Sequence, residues 1–216
     1  MTADELDLLI RKISEEVCRN HGVILTAVGV YSINTRDPRK TGSGTKENKA
    51  VKQSDQIRLE KITWDNYDKI CRLRVTKQQD HYVARNDRSL IHAYLALSQG
   101  EIRASPFGIY LGKKPVGFVM IGYNGYEDGE PEFMKNTYFI WRLMIDRRYQ
   151  GNGYGRQAFA LAMDFVRTLP CGPSELCWLS YEPENEVAKK LYASFGFVEV
   201  PEGYKEGEEM PAILKL

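Results

Sequence analysis

A short glycine-rich segment lies between an apolar run and an amphipathic stretch, and this arrangement constrains the fold more than any other part of the chain. The apolar run covers residues 138–145 and is interrupted only by Arg142, which is typical of a strand buried on both faces. After the glycines, apolar residues recur at helical spacing from Tyr154 to Leu169, and Pro170 prevents the helix from continuing. The sequence therefore predicts a buried strand, a tight loop and a helix, in that order.

The loop reads Gln150-Gly151-Asn152-Gly153-Tyr154-Gly155-Arg156. Glycines at the start of a helix leave backbone N–H groups accessible at the positive end of the helix dipole, where phosphate binds. A Walker loop would need Lys followed by Ser or Thr after the last glycine, but Arg156 and Gln157 stand there. A dinucleotide-binding fingerprint needs a small residue in place of Arg156 and a longer series of strands and helices. The loop fits neither pattern well.

Another pattern fits better, because Gln150, Gly153 and Gly155 match Gln/Arg-x-x-Gly-x-Gly/Ala directly after a strand that ends in Met144-Ile145-Asp146. This loop resembles the acetyl-CoA pyrophosphate loop of the GNAT superfamily of N-acetyltransferases. A second block, residues 185–197, is similar to that superfamily's Asn-x-x-Ala-x-x-Leu-Tyr-x-x-x-Gly-Phe helix. The resemblance implies an α/β GNAT fold: a mixed central sheet of about six to seven strands, helices on both faces, and splayed central strands that hold acetyl-CoA.

Composition along the chain divides it into three parts. Residues 1–33 form a small appendage, with a helical pattern in residues 4–20 followed by a β-rich segment. Residues 34–56 are polar and rich in Pro, Gly, Ser and Thr, which predicts a flexible linker. Residues 57–216 form the acetyltransferase domain. The appendage is too small to be stable alone, so we expect it to pack on the main domain or on a second subunit of a homodimer.

Periodicity predicts the following elements in the first part of the main domain: a strand at 57–62, a helix capped by Thr63 that carries Trp64, Tyr67, Ile70, Cys71 and Val75, a helix at 89–99 with Leu90, Ala93, Tyr94 and Leu97 inward, and a hairpin of 107–111 and 116–123 around Gly112-Lys113. In the second part it predicts strands near 138–145 and 177–179, a helix from Asn185 to Gly196, and strands at 197–200 and 211–216. This order is the one that the resemblance implies.

Overall composition limits the kinds of partner. The chain has 30 basic and 29 acidic residues and a net charge of +1, so nothing attracts it to nucleic acid or to an anionic membrane. No apolar stretch approaches the roughly 18 residues that a membrane span requires, and residues 1–14 lack a signal-type apolar core. We expect a cytoplasmic enzyme. The four cysteines and three histidines have no metal-ligand spacing, so no metal is expected.

The donor site follows from the resemblance. Backbone N–H groups from Gly151 to Arg156 would hold the pyrophosphate, while Leu143, Met144 and Ile145 would pair with the thioester carbonyl and the pantetheine arm. Asn185 corresponds to an Asn that contacts CoA in the family, although Asn also commonly caps helices. Arg156 would pair with a phosphate or solvate the first helical turn.

The resemblance also assigns a catalytic role to Tyr192. It lies seven residues after Asn185, and two helical turns place both on one face. A phenol of pKa about 10 can protonate a departing thiolate whose own pKa is about 8.5. The alternative is a tyrosine that only packs in the core.

The acceptor is predicted less sharply. Three short blocks are similar to bacterial diamine and spermidine/spermine acetyltransferases: residues 73–86, 115–118 and 144–151. Candidate acceptor residues are listed here: Gln79, Asp80, Tyr82, Glu127, Asp128 and Trp141. The acids in the loop at 127–132 would attract a polycation, or simply be solvated at a hairpin tip.

Together these features predict an acetyl-CoA-dependent N-acetyltransferase that acts on a small-molecule primary amine, a diamine or polyamine first of all. The amine would attack acetyl-CoA directly in a ternary complex. Aminoglycosides and protein amines remain alternative acceptors. A non-catalytic sensor or interaction module that keeps the CoA pocket is the alternative from another class.

Overall fold

The computed structural model describes residues 56–100, 102–126, 129–201 and 207–216. The predicted appendage at 1–33 and the predicted linker, apart from Gln56, lie outside the described residues and remain predictions.

Seven strands form one mixed sheet in the order β1-β2-β3-β4-β5-β7-β6. The strands are β1 Ile57–Lys61, β2 Arg103–Leu111, β3 Lys114–Tyr123, β4 Tyr138–Ile145, β5 Leu176–Tyr181, β6 Val198–Glu199 and β7 Met210–Lys215. Each pair of neighbours is antiparallel except β4 and β5, which run parallel. The helix Tyr154–Arg167 connects these two strands, as a parallel crossover requires. The prediction of a mixed sheet of six to seven strands is confirmed.

Among the described residues, four helices cover the sheet: α1 Tyr67–Cys71, α2 Asn86–Gln99, α3 Tyr154–Arg167 and α4 Glu186–Ala193. Short 3-10 turns occur at Lys77–Gln79 and Glu132–Met134. Two apolar clusters form, one on each face of the sheet. Phe159, Met163 and Val166 of α3 are fully buried in the first cluster, which also includes Tyr192 of α4. Full burial of such a side chain stabilises the fold by about 1.5–3 kcal/mol. The second cluster includes Ile70 of α1 and Ala93 of α2.

The two helices after β1 differ from the prediction. The helix expected from Thr63 is only five residues long, begins after Asn66, and leaves Trp64 89% exposed. In α2 the predicted inward residues Tyr94 and Leu97 face solvent instead. The residues of α2 that are buried are Asn86, Ser89, Ala93 and Ala96. Small residues along one stripe let α2 approach the sheet closely, so the larger apolar side chains stay outside.

The β2–β3 hairpin has the predicted two-residue turn. Leu111 pairs with Lys114, and Gly112 adopts a φ of 57° between them. A left-handed residue at this position matches the twist of the two strands, which explains the glycine. Within the described part of the chain, no helix is both long and apolar enough to cross a membrane.

Candidate active site

The central opening of the sheet arises where β4 and β5 separate. The two strands pair only at Tyr138 with Cys177 and at Phe139 with Trp178. Beyond Phe139, β4 continues to Ile145 and β5 continues to Tyr181 without further pairing between them. A cleft of about 510 Å³ follows this gap, and that volume is within the range of small-molecule sites.

A β-bulge in β4 lies at the start of the gap. Arg142 pairs with Met120 and Ile140 pairs with Ile121, so Trp141 is an extra residue without a partner on β3. Bulges bend a strand and increase its twist. The bulge therefore accounts for the direction in which β4 leaves β5.

Backbone groups on the open edge of β4 face the cleft. The Asp146 N–H donates to Val116 O of β3 at 2.8 Å. Because backbone groups alternate direction along a strand, those of Leu143 and Ile145 point away from β3, toward the gap. The Ile145 carbonyl accepts from Gln150 Nε2 at 2.9 Å. The N–H groups of Leu143 and Ile145 are thus placed where a ligand in the gap can accept hydrogen bonds.

The glycine loop turns at the end of β4 and begins α3. Gly151 and Gly153 have φ values of 78° and 75°, and a Cβ at either position would meet nothing within 4 Å. These glycines are therefore required for backbone conformation, and the space beside them is open. Gly153 is the N-cap of α3, and Tyr154, Gly155 and Arg156 in the first turn, whose N–H groups have no partner within the helix, line the cleft. Such a helix start favours an anionic ligand.

Two polar side chains, the carboxylate of Asp146 and the amide of Gln150, hold the base of this loop. Asp146 is buried, and its carboxylate accepts from the Arg74 N–H at 2.9 Å and from Arg148 Nε at 2.8 Å. Burial by itself raises the pKa of Asp146, but these hydrogen bonds outweigh burial and hold the pKa below its usual range. Gln150 donates to Gln79 at 3.0 Å as well as to Ile145. Sequence reasoning missed the structural role of Asp146.

Residues of helix α4 also line the cleft. Asn185 is the N-cap of α4 and its Oδ1 accepts from the Ala188 N–H at 3.1 Å, while the residue also lines the cleft. Arg156 donates to Ser194 Oγ at 2.6 Å, and its guanidinium lies over the Phe195 ring at 4.9 Å. Arg156 therefore connects the start of α3 to the end of α4.

Tyr192 enters the cleft from the face of α3 and α4. Its ring packs 5.1 Å from Phe159 and 5.6 Å from Tyr181, measured between ring centroids. Only 9% of the residue is exposed, and it lines the cleft. Burial, and then the charge of Glu209, raise the pKa of the Tyr192 phenol above its ordinary value. The hydroxyl is therefore protonated, and it holds its proton more firmly than a free phenol does.

Polar groups enter the same cleft from the opposite face, which α1 and α2 cover. Arg142 lies on this face because it pairs directly with Met120 of the second cluster. Ser180 also lies there, since it alternates with Leu179 and Tyr181 of the first cluster. Ser180 Oγ donates to Glu209 Oε2. Arg142, Ser180 and Glu209 all line the cleft. The cleft thus passes through the sheet.

Arg142 is an unusual group for such a position. Its Nη1 donates to Trp141 O at 2.7 Å, while its Nε is buried without a hydrogen-bond partner among the described residues. Burial lowers the pKa of the guanidinium, and the charge of Glu209 opposes that effect. Sequence reasoning noted Arg142 only as a break in an apolar run, and Glu209 gave no sequence signal at all.

The structure places most of the predicted site residues around one cleft. The predicted residues that line it are Gln79, Tyr82, Trp141, Leu143, Met144, Ile145, Gln150, Gly151, Gly153, Tyr154, Gly155, Arg156, Asn185 and Tyr192. Asp80 lines a neighbouring cavity of about 280 Å³. Asn152 turns back, and its side chain donates to Tyr149 O and Gln150 O. Glu127 and Asp128 lie outside the described residues.

The model of the acetyltransferase (GNAT) family matches residues 60–197. The chain belongs to the GNAT acetyltransferase family. The match begins in β1 and ends just before β6, so it covers the described residues that line the cleft with the exception of Glu209. It confirms the fold class and the activity as an acetyltransferase that the sequence predicted.

One curated relative of this GNAT chain is the spermine/spermidine N(1)-acetyltransferase of Bacillus subtilis strain 168. The two are 29% identical over 147 residues, which cover 65% of this chain and 87% of the relative.

Solved structures agree with the GNAT fold. Mycobacterium smegmatis RimJ, in complex with CoA-disulfide, aligns with a TM-score of 0.53 at 16% identity, covering 75% of this chain and 83% of RimJ. PH1933 from Pyrococcus horikoshii OT3 aligns with a TM-score of 0.51 at 20% identity, covering 74% of this chain and 99% of PH1933. At these identities the likeness establishes the fold only.

Proposed function

We propose that this GNAT domain transfers the acetyl group of acetyl-CoA to the primary amine of a small molecule, in a ternary complex and without a covalent enzyme intermediate. One observation carries the proposal: a single cleft joins a phosphate-binding helix start, a buried tyrosine hydroxyl and a carboxylate on the far face. The donor would enter beside α3 and α4, and the acceptor would enter from the face of α1 and α2.

The donor half is supported by the backbone. The N–H groups at Gly151–Arg156 and the start of α3 offer a positive site for the CoA pyrophosphate. The open N–H groups of Leu143 and Ile145 offer hydrogen bonds to the pantetheine arm and to the thioester carbonyl. An N–H that points at this carbonyl oxygen would stabilise the negative charge that develops there as the amine attacks.

The reaction needs a proton donor for the departing thiolate and a way to remove a proton from the acceptor ammonium. Tyr192 would be the proton donor, because its protonated phenol lines the cleft and can give its proton to the departing CoA thiolate. The acceptor must first lose a proton, since an ammonium of pKa about 10.4 is neutral in only about one molecule per thousand at pH 7.4. That deficit corresponds to about 4 kcal/mol, which the site must offset.

For the acceptor we propose a diamine or polyamine. The named activity of the Bacillus subtilis relative supports this choice. The Glu209 carboxylate also supports it, because it lines the part of the cleft on the face of α1 and α2, here called the acceptor half. The rings of Trp141 and Tyr82 line the same half and can hold an alkylammonium by cation–π attraction.

A second candidate is an amine that also carries a carboxylate, as an amino acid does. The observation that favours it is Arg142, whose Nε is buried without a partner among the described residues. A buried guanidinium is costly unless an anion pairs with it, and a ligand carboxylate would do so. Arg142 would also repel the second ammonium of a diamine. A cleft that binds a ligand carboxylate at Arg142 would therefore disfavour a diamine.

A thermal-shift titration with acetyl-CoA, followed by a CoA-release assay, tests the proposal. The amines are 1,3-diaminopropane, spermidine, lysine, glycine and an aminoglycoside. Release with the diamine and spermidine alone supports the polyamine assignment, while release with lysine or glycine supports the second candidate. Binding of acetyl-CoA without release on any amine would instead favour the non-catalytic module.

A further inference from the structure

Glu209 occupies a distinctive position in the cleft. It immediately precedes β7, whose first residue Met210 pairs with Tyr181 at the end of β5. Of the described residues that line the cleft, Glu209 alone carries a carboxylate. The hydrogen bond from Ser180 Oγ engages Oε2, which fixes the side chain and leaves Oε1 available to a second donor.

The titratable and charged groups around Glu209 and its neighbour Arg142 come from β4, α4, β5 and α2. Arg142 of β4 is close enough for the Glu209 charge to affect its pKa, and the same holds for Tyr192 of α4. Tyr181 of β5 lines the cleft beside them, with its own hydroxyl donating to Glu199 at 2.6 Å. On the α2 side, His92 and Arg88 are the titratable and charged groups near Arg142.

We propose that Glu209 binds the reacting ammonium of the acceptor and accepts its proton, and is therefore the base that complements Tyr192. The carboxylate lies on the acceptor side of the sheet, and the phenol lies on the donor side, so the reacting nitrogen would come to the gap between them. This inference rests on the proposed function, since a base is needed only if an amine is acetylated.

The protons balance as follows. The ammonium gives one proton to Glu209, which is exposed and can release it to solvent. The neutral nitrogen attacks the thioester carbon, the C–N bond forms, the C–S bond breaks, and Tyr192 gives its proton to the sulfur. The nitrogen then loses its second proton, which restores the Tyr192 phenol through solvent. One proton is released for each acetyl group transferred.

The test compares Glu209→Gln with wild type for one amine that the wild-type protein acetylates, over a range of pH. Glutamine has the same shape and can still accept from Ser180, but it cannot take a proton at neutral pH. We expect kcat/KM for the amine to fall about 100-fold at pH 7, which is the usual scale of general-base catalysis. The loss should shrink as the pH approaches the pKa of the amine, because solution then supplies the neutral form. The Kd for acetyl-CoA should stay within about two-fold of wild type.

Two further variants serve as controls. Glu208→Gln changes the neighbouring acid, which does not line the cleft, and should leave kcat/KM unchanged. Glu209→Asp retains the charge and should recover part of the activity with a wild-type pH profile, which also guards against misfolding of the Gln variant. An equal loss for Glu209→Gln at every pH, or no loss, overturns the inference while the proposed function stands. Failure of the wild-type protein to acetylate any amine would overturn the proposed function itself.

Discussion

Gln150 Nε2 donates to Gln79 Oε1 at 3.0 Å and to the Ile145 carbonyl at 2.9 Å. Gln79 Oε1 also accepts from the Thr76 N–H and from Thr76 Oγ1, each at 3.1 Å. A residue at the start of the glycine loop is thereby joined to the 3-10 turn that borders the acceptor half of the cleft. Gln79, which the sequence suggested as a substrate contact, is bonded to the glycine loop in this arrangement, and its contact with a substrate stays a prediction.

A double-mutant cycle tests this link. Gln79→Met and Gln150→Met each remove the hydrogen bond with little change in size, and each should weaken acetyl-CoA binding several-fold. Because the two side chains contact each other, the double variant should lose less acetyl-CoA binding free energy than the sum of the two single losses. The coupling energy should be about 1 kcal/mol. Gln157→Met, on the exposed face of α3, is the control and should leave acetyl-CoA affinity unchanged. If the double variant lost the full sum of the two single losses in binding free energy, the hydrogen bond would not hold the loop.

Comparison of Gly153→Ala with Gly100→Ala separates the role of the loop in CoA binding from the strain that alanine causes at a left-handed φ. Gly153 and Gly100 both adopt a left-handed φ, 75° and 79°, and both would place a Cβ in open space. Each substitution to alanine should therefore cost a similar stability, about 1 kcal/mol. Gly100 ends α2 away from the cleft, so only Gly153→Ala should also weaken CoA binding. Calorimetric titration with CoA on both variants provides the comparison, and equal affinities would contradict a phosphate site at the loop.

Tyr192→Phe tests the proton donor. Removal of the hydroxyl leaves the packing against Phe159 and Tyr181 intact, so the variant should fold and bind acetyl-CoA as wild type does. Turnover should fall about 100-fold or more, the usual contribution of a general acid. Because its pKa is raised, Tyr192 keeps its proton up to at least about pH 10, and kcat should show no alkaline decline from this group below that pH. Unchanged turnover in Tyr192→Phe would exclude the acid role.

Asp146→Asn tests the support under the loop. The side chain of Asp146 is 3% exposed and its carboxylate accepts charge-assisted hydrogen bonds from Arg148, so we expect a loss of about 2 kcal/mol of folding stability at pH 7. The folded-state pKa of Asp146 lies below its unfolded value of about 3.9, so this contribution is complete above that value. It is lost as the pH falls through the folded-state pKa.

Urea denaturation of both proteins at several pH values measures this effect. The difference in the free energy of unfolding should be constant above about pH 5 and should narrow toward pH 3. The exposed pair of Asp68 and Arg72 supplies the control, since Asp68→Asn should change stability little at any pH. A difference between wild type and Asp146→Asn that stays constant down to pH 3 would contradict the assignment.

Much of the donor site follows from local sequence. The bounds predicted for β4, 138–145, agree with the structure, because a buried strand is a continuous apolar run. Tyr154 as the start of α3 and Asn185 as the cap of α4 also agree, since glycine and asparagine mark such helix starts. These elements depend on residues close together in the chain.

The acceptor half depends on residues that are distant in sequence. Glu209 reaches the cleft only because β7 pairs with β5, and Arg142 reaches it only because the bulge at Trp141 turns β4. Neither relationship leaves a spacing pattern that sequence could reveal. The misplaced Tyr94 and Leu97 have a similar origin, because the distance between α2 and the sheet decides which stripe is buried. Local patterns therefore predicted the strand, the loop and the helix starts on one side of the cleft better than the residues that line its other side.

Acetyl transfer itself is the direct test of the account. The full chain is incubated with acetyl-CoA and spermidine or 1,3-diaminopropane, and CoA release and the acetylated amine are quantified together by mass spectrometry, with Tyr192→Phe in parallel. The account predicts equal amounts of CoA and mono-acetylated amine from the wild-type protein, and at least about a 100-fold lower rate from Tyr192→Phe. Tight binding of acetyl-CoA with no acetylated product from these or any other primary amine would contradict it.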